Sequence, residues 1–356
     1  MLWFCILLLV PMAIQHIAVP GIRYERKNRA ALVFFFLLMF VMVAFRHDRI
    51  GNDTSNYIGI YHRLSKMQYS SLKAMGDEPL FAVFCKLCSY VSSNDRFFLA
   101  ASAVIPFWGI GRFYCRESDD ASLTIILFAI SSVFVMLFSG IRQSIAIGIG
   151  MMAFPFVRKK KFWRFLICVI LAMGFHNSAA LLLLLYPAYH VKITKKWLYV
   201  VIPAIIAVFV FNRQIFSFLL TVLSQYSRFE GEISSTGAYT MLILFVMLGV
   251  FSFVIPDEEK LTQDTIGLRN ILLLVVVLQI FAPLHTLSMR MNYYFIPFVP
   301  VLIPQIIRCR RTEMAQVAIL ARHILVVVFA VYFLAFLIPS NPLHIYPYHF
   351  FWEGYP

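Results

Sequence analysis

The chain has 356 residues, of which 61% are hydrophobic and only 13% are charged. This composition excludes an ordinary soluble globular domain and is typical of a chain that lies largely inside a bilayer. The net charge of +14 falls mainly in short loops between apolar runs, which argues against a nucleic-acid-binding surface and suits contact with anionic lipid.

Apolar runs of about 14 to 20 residues recur from end to end, which predicts an all-α, polytopic membrane protein. The first run, Leu2–Val19, lacks the basic start and small-residue cleavage site of a signal peptide, and we interpret it as a retained span. About twelve transmembrane helices are predicted: Leu2–Val19, Ala30–Phe45, Arg96–Phe113, Ala121–Phe138, Arg142–Val157, Phe162–Phe175, Ser178–Val191, Lys196–Phe211, Ala238–Ile255, Leu268–Leu284, Met291–Ile307 and Arg322–Ile338.

The positions of lysine and arginine predict the orientation of these helices. Most basic residues fall in alternate loops, which the positive-inside rule places in the cytoplasm. The cytoplasmic groups are Arg23 to Arg29, Arg112 and Arg116, Arg158 to Arg164, Lys192 to Lys196, Lys260 and Arg269, and Arg308 to Arg322. Both termini are then external, and residues 1–356 are predicted to form a single transmembrane domain.

Two predicted external segments, 46–95 and 212–237, are large enough to contribute to a site. The first contains the apolar run Pro79–Val91, which is short and carries Lys86 in its middle. Counting this run as a span would invert every later loop. We therefore interpret it as a re-entrant or interfacial helix, with a tilted full span as the alternative.

Two familiar kinds of site are disfavoured by the sequence. Cys85 and Cys88 form a lone C-x-x-C pair with no second ligand pair, so we interpret them as small apolar fillers. The chain has no G-x-x-x-x-G-K-[ST] motif and no cytoplasmic loop large enough for a nucleotide site, which excludes an ATP-driven pump.

Arginines stand at the outer ends of several predicted helices, where the positive-inside rule predicts few. They are Arg46, Arg142, Arg290 and, less securely, Arg49. An anionic ligand is the commonest reason for a cation in such a place, and contact with lipid headgroups is the alternative. Arg142 opens a helix, where free backbone N–H groups already favour anions, so its guanidinium suits a phosphate.

Three other polar residues on the outer side are candidates for proton transfer. His176 lies at an almost loop-free hinge between two predicted spans, and histidine is the commonest general base. Asp53 follows a tight turn at Gly51, and a helix is predicted to begin near Ser55. Glu78 precedes the re-entrant run and is placed to cap it.

Short motifs follow one another in a characteristic order along the chain. They are Arg46 with Gly51, Asp53, Asn56 and Tyr57; Glu78-Pro79; Ser139 to Ala146; Lys159 to Lys161; Phe175-His176 with Ser178; Arg290 with Tyr294-Phe295; and Pro347-Tyr348. Each motif is weak, but the ordered set resembles the EpsG-like branch of the Wzy-type polysaccharide polymerases over about residues 40 to 350.

The resemblance implies a multi-spanning glycosyltransferase of the bacterial inner membrane, with the GT-C-like architecture of O-antigen ligases and an active site facing the periplasm or exterior. Such an enzyme moves a growing glycan from undecaprenyl diphosphate onto a lipid-linked oligosaccharide repeat unit. No nucleotide sugar, metal or other cofactor is expected. The implied partners are the lipid-linked oligosaccharide, membrane lipid and a chain-length regulator protein.

Within that chemistry, site residues are assigned by their charge and position. Arg142 and Arg290 are expected to hold the diphosphate, with Arg46 as a third contact. His176 is the first candidate base, with Asp53 and Glu78 behind it. The further candidate contacts to diphosphate or glycan are Gln143, Tyr57, Tyr294 and Tyr348.

Three other functions remain open at this point. An O-antigen ligase uses the same donor chemistry and cannot be separated from a polymerase by these residues. A flippase or transporter for a lipid-linked glycan should carry acidic residues at mid-membrane, whereas the charges here lie at the outer ends. A membrane O-acyltransferase would rest on His176 alone.

Overall fold

The computed structural model describes residues 1–17, 20–68, 78–222 and 239–355. Helix accounts for 78% of the structure, and the described residues form no strand beyond two isolated bridges, Arg46 with Phe350 and Pro256 with Arg310. The predicted all-α class is confirmed.

The chain divides into two compact units, Met1–Leu183 with Ile319–Pro356, and Leu184–Ala318. The helices of the first unit are α1 (Leu2–His16), α2 (Tyr24–Ala44), α3 (Thr54–Lys66), α4 (Pro79–Val91), α5 (Asp95–Glu117), α6 (Ala121–Ala129), α7 (Ser132–Met136), α8 (Ile141–Arg158) and α9 (Phe162–Phe175). A 3₁₀ helix, Asn177–Leu184, follows α9.

Further helices follow along the chain: α10 (Leu185–His190), α11 (Leu198–Val210), α12 (Asn212–Val222), α13 (Thr240–Val254), α14 (Gln263–Gln279), α15 (Thr286–Asn292), α16 (Val299–Arg308) and α17 (Ala315–Tyr332). In the second unit, α14 packs against α10, α13, α15 and α16. The buried Arg269 of α14 ties the unit together, donating from Nη1 to Glu258 Oε1 at 2.8 Å and from Nη2 to the Ile193 carbonyl at 3.1 Å.

In the first unit, α1, α2, α5, α8 and α9 pack in series, each against the next. The α5–α8 contact is close because glycines meet there. An ideal Cβ on Gly109 would lie 2.1 Å from the Gly148 carbonyl oxygen, so any side chain at this point would force the helices apart. The packing of these five helices positions the helix ends that carry the polar residues.

The polar groups of the first unit gather at two ends, which we call the basic end and the site end. At the basic end, Arg158 pairs with Glu117 and Arg322 pairs with Asp120. The site end is defined by Arg46, Asp53, Glu78, Arg142 and His176, which are linked to one another or to shared neighbours by the contacts described below. Within this unit, the motifs assigned to the outer side therefore lie together.

Three helical stretches are long and apolar enough to cross a bilayer, and they lie at Tyr24–Ala44, Asp95–Glu117 and Thr312–Leu337. A fourth is added if the bent pair Asn177–His190 and Lys195–Val210 is one span. Other apolar helices in the described part of the chain are shorter, so the predicted number of about twelve spans stays a prediction.

Several predicted spans are interrupted. Residues 121–138 form α6 and α7 with a break between them, and residues 291–307 form the end of α15, a 3₁₀ turn and α16. The predicted re-entrant run coincides with α4 at both ends. Its 13 residues measure about 20 Å, less than the ~30 Å hydrocarbon core.

The two predicted external segments are described only in part. The first contains α3 and α4, and the second contains α12; residues 69–77 and 223–237 lie outside the described residues. That these segments are external parts of one transmembrane domain stays a prediction.

Candidate functional site

A tight loop before α3 anchors that helix to the start of α8. Gly51 has φ +84°, and an ideal Cβ there would lie 2.1 Å from the Phe138 carbonyl oxygen, so only glycine fits. The Asp53 N–H donates to Ser139 Oγ at 3.1 Å, and that hydroxyl donates to Asp53 Oδ2 at 3.2 Å. The carboxylate of Asp53 is therefore used in joining the two segments, and α3 begins at Thr54, next to its predicted start.

The side chain of Arg46 is buried in the core beneath this loop. Its side chain is 1% exposed; Nε donates to Thr54 Oγ1 at 3.2 Å, and Nη1 donates to the Val43 carbonyl. Nη2 has no hydrogen-bond partner in the described part of the chain. Burial lowers the pKa of Arg46 to about 10, because desolvation disfavours the charged form, yet the group stays protonated at neutral pH. We call Arg46, Thr54 and Val43 the Arg46 hinge.

A contact between α4 and α9 brings Glu78 to His176. An ideal Cβ on Gly174, near the end of α9, would lie 2.5 Å from Leu80 Cδ1, so the first turn of α4 lies directly on α9. Glu78 occupies the N-cap position of α4 but makes no side-chain capping bond. The expectation that it caps this helix is wrong, because its carboxylate turns instead toward α8 and α9.

The two oxygens of Glu78 face different partners. Oε1 lies 2.6 Å from His176 Nδ1 and accepts the Asn177 N–H at 3.3 Å, while Oε2 accepts from Arg142 Nη1. Burial raises the pKa of Glu78, but the hydrogen bond and charge of His176, the charge of Arg142 and the Asn177 N–H outweigh burial and lower it overall. The carboxylate is therefore ionised at neutral pH.

The carboxylate also decides which nitrogen of His176 is free. An ionised acceptor beside Nδ1 favours the tautomer that carries hydrogen there, which leaves a lone pair on Nε2. Nε2 makes no hydrogen bond to the residues that the structure describes, and the side chain is 26% exposed. His176 thus presents an oriented proton acceptor to solvent.

Arg142 lies in the first turn of α8 and is aimed by groups from α3 and α4. Its Nε donates to the Tyr57 hydroxyl at 3.4 Å, and its Cζ lies 5.5 Å from the centroid of the Tyr57 ring and 5.8 Å from that of Phe81. The side chain is 36% exposed, and within the described chain Nη2 has no hydrogen-bond partner. Ionic and aromatic contacts therefore hold the guanidinium with one edge open. We call Tyr57, Glu78, Arg142 and His176 the Glu78 cluster.

The other predicted site residues are not members of the Glu78 cluster. Gln143 is buried in α8 next to Arg142. Tyr348 is buried among aromatic rings and donates its hydroxyl to the Met42 carbonyl at 2.6 Å. Arg290 is exposed and Tyr294 fully buried, both in the second unit. Direct contacts link the members of the Glu78 cluster, and Asp53 is linked through Ser139 to the start of α8. The roles predicted for the other residues stay predictions.

Sequence reasoning missed two side chains that support the cluster. Phe81 lies three residues after Glu78, a spacing that puts both on one face of α4, and this periodicity was the available signal. Ser139 lies in the motif before Arg142, but nothing in the sequence shows that its hydroxyl meets Asp53, 86 residues away.

The cluster combines a proton acceptor with a partly open cation. This pair can take a proton from a hydroxyl and stabilise a neighbouring anion, as transfer to or from a phosphate ester requires. Among the described residues, no three His, Cys, Asp or Glu side chains are grouped closely enough to hold a metal ion.

Comparison with known proteins adds one match. The profile of a protein family described as the EpsG family matches residues 29–350, nearly the whole chain and all of the Glu78 cluster. No curated protein and no solved structure matches the chain.

Proposed function

The chain belongs to the EpsG family, a Wzy-like polymerase family, and from that premise we propose that it extends a glycan carried on undecaprenyl diphosphate. The resemblance read from the motifs is thereby confirmed at the level of the family. Its apolar helices and its family are those of a membrane protein in polysaccharide synthesis, acting on lipid-linked oligosaccharide. The donor, the acceptor and the residue roles below are our proposal.

In the proposed reaction, the bond between the anomeric carbon of the growing glycan and its lipid diphosphate breaks. A hydroxyl of the next lipid-linked repeat unit forms the new glycosidic bond and gives up its proton, and undecaprenyl diphosphate leaves. Because the anomeric carbon becomes oxocarbenium-like, the hydroxyl needs only partial deprotonation. The demands on the protein are a proton acceptor and a cation for the leaving diphosphate.

We assign the proton acceptor to His176 Nε2. Its Nδ1 faces the ionised Glu78 carboxylate at 2.6 Å, which fixes the tautomer and stabilises the imidazolium formed when Nε2 takes the proton. Glu78 is then a positioning residue rather than a second base. Asp53, already hydrogen-bonded to Ser139, is a weaker candidate for the base.

We assign the diphosphate contact to the open edge of Arg142. Negative charge grows on the bridging oxygen as the glycosidic bond breaks, and a preoriented guanidinium stabilises that charge without reorganisation. The roles predicted from the sequence for Arg290 and Gln143 stay predictions, and Tyr57 contacts the Arg142 guanidinium through its hydroxyl and its ring. The diphosphate enters from the outer face, with the lipid tail remaining in the inner membrane.

The observation that carries the proposal is the single carboxylate of Glu78 shared between His176 Nδ1 and Arg142 Nη1. This carboxylate holds the proton acceptor, His176, next to the cation, Arg142. A lone helix-end arginine meeting lipid headgroups would need neither the histidine nor the shared carboxylate.

The test uses protein in lipid nanodiscs with an undecaprenyl-diphosphate-linked oligosaccharide repeat, with EDTA present and no nucleotide sugar. A ladder of products on a gel is expected, and it should be lost in Arg142→Lys and Arg290→Lys variants. The absence of a ladder, with movement of the lipid-linked substrate between leaflets, would overturn the proposal in favour of a flippase. Long polymer from either variant would exclude that arginine as a contact of the diphosphate.

A further inference from the structure

Two apolar grooves flank α5 toward the basic end, far along that helix from the Glu78 cluster. The groove between α2 and α5 has a volume of about 470 Å³ and is lined by residues such as Val33, Leu37 and Val104. The groove between α5 and α8 has a volume of about 340 Å³ and is lined by residues such as Met151 and Pro155. Both are open, apolar channels that run alongside one helix.

The two grooves share three residues of α5. Trp108, Arg112 and Arg116 line both of them, and their spacing of four residues places them along one face of the helix. Trp108 is 63% exposed and lines both grooves, so it lies at the surface where they adjoin. The two grooves therefore adjoin along this row of three residues, which we call the cationic edge.

No described residue compensates the charge of the cationic edge. Arg112 and Arg116 are exposed, as is Arg29 at the end of the α2 groove, and none of the three makes an ion pair or hydrogen bond with the described residues. Among the described residues that line either groove, Glu117 is the one carboxylate, and it accepts hydrogen bonds from both terminal nitrogens of Arg158. Its charge is thus already matched.

We propose that these two grooves hold one anionic diacyl phospholipid of the bilayer. Its phosphate lies at Arg112 and Arg116, with Arg29 nearby, and one acyl chain occupies the groove on each side of α5. Charge complementarity selects an anionic headgroup, because three guanidinium groups without a partner among the described residues line one or both grooves. Two grooves that adjoin at the cationic edge suit two chains, whereas a polyprenyl phosphate has one.

The experiment is native mass spectrometry of the whole protein, released from detergent micelles with equal amounts of phosphatidylglycerol and phosphatidylcholine of identical chains. Phosphatidylglycerol should be retained preferentially by the unmodified protein. Each arginine near a lipid surface contributes roughly a fivefold preference, so Arg112→Gln/Arg116→Gln should lower the preference about 25-fold.

The matched control is Arg26→Gln/Arg164→Gln, which removes two exposed charges without touching either groove. It should keep the preference, while Trp108→Ala should weaken retention of both lipids by removing a ring that lines both grooves. Equal retention of the two lipids by the unmodified protein would overturn the proposal. So would an equal loss in the control, or displacement of phosphatidylglycerol by equimolar undecaprenyl phosphate.

Discussion

Arg46 and Arg142 look alike in the sequence, since each is an arginine at the outer end of an apolar helix, but they have opposite surroundings. Arg46 is 1% exposed, makes no ion pair within the described chain, and binds Thr54 and a main-chain carbonyl. Arg142 is 36% exposed, pairs with Glu78 and keeps one edge open. One arginine supports a hinge, and the other is available to a ligand.

The difference shows that the partner decides the role of the cation. A neutral hydroxyl and a carbonyl stabilise the charge of Arg46 without leaving any surface for an anion. At Arg142 the carboxylate cancels part of the charge but also orients the guanidinium and, through its other oxygen, His176. Coupling to a proton acceptor distinguishes the Glu78 cluster from the Arg46 hinge.

The largest expected effect is at His176. His176→Gln removes the proton acceptor and should lower the rate of chain extension by about 10²- to 10⁴-fold at saturating donor, with donor binding retained. Single-turnover kinetics in nanodiscs would measure both. The control is His62→Gln, because His62 also faces a carboxylate, Asp95 at 2.7 Å, away from the cluster. A rate within tenfold of the unmodified protein would rule out His176 as the base.

The difference between Arg46 and Arg142 is tested directly by the two variants Arg142→Lys and Arg46→Lys. Lysine keeps the charge but loses the planar guanidinium, so Arg142→Lys should cost about 10²- to 10³-fold in rate. Arg46→Lys should lower the melting temperature while leaving the turnover of folded protein unchanged. If folded Arg46→Lys lost as much turnover as Arg142→Lys, the comparison would fail and Arg46 would be the diphosphate contact predicted from the sequence.

Glu78→Gln should have the next largest effect, because the amide keeps the shape of the carboxylate but not its charge. Losing charged hydrogen bonds to His176 and Arg142 should cost about 1.5–3 kcal/mol in the barrier, or roughly ten- to a hundredfold in rate. A Glu78→Gln variant that raised KM without lowering kcat would instead indicate that Glu78 serves substrate binding alone. Measuring kcat and KM separately distinguishes the two.

The pH dependence of stability provides a second measure of Glu78. Its pKa in the folded protein is lowered, so its contribution is present above the unfolded value of about 4.3 and is lost as pH falls through the lower folded value. The difference in melting temperature between unmodified protein and Glu78→Gln should therefore persist down to about pH 5 and shrink only in stronger acid. A difference that vanished between about pH 6 and 5 would mean that the pKa is raised.

Several elements could be predicted because local signals coincide with their ends. The predicted bounds of α4 and α9 match the structure, since proline opens α4 and polar residues flank both apolar runs. The members of the Glu78 cluster were all candidates because charged and polar residues stand out in so apolar a chain. The residue type and its position in the sequence were enough to select Glu78, Arg142 and His176 as candidate site residues.

The division of labour among these residues could not be predicted, because it depends on contacts between distant segments. Glu78 reaches His176 because Leu80 packs against Gly174, and the spacing of these residues in the sequence does not predict that contact. The burial of Arg46 likewise depends on α3 folding back to bring Thr54 beside it. The broken spans at 121–138 and 291–307 were missed because hydropathy averages over the short breaks.

The smallest expected effect is at Thr54 and tests whether the Arg46 hinge serves stability alone. Thr54 Oγ1 accepts from Arg46 Nε and donates to the Ile50 carbonyl at 2.6 Å, so Thr54→Val keeps the shape but leaves a buried guanidinium N–H without an acceptor. Such a loss costs about 1–3 kcal/mol, which should lower the melting temperature without changing turnover at low temperature. Ser55→Ala removes a hydroxyl that bonds to the Asp48 carbonyl at the surface and is the matched control, with little expected change. A fall in turnover of folded Thr54→Val would show that the hinge also positions Arg142, because α3 carries both Thr54 and the Tyr57 ring over which that guanidinium lies.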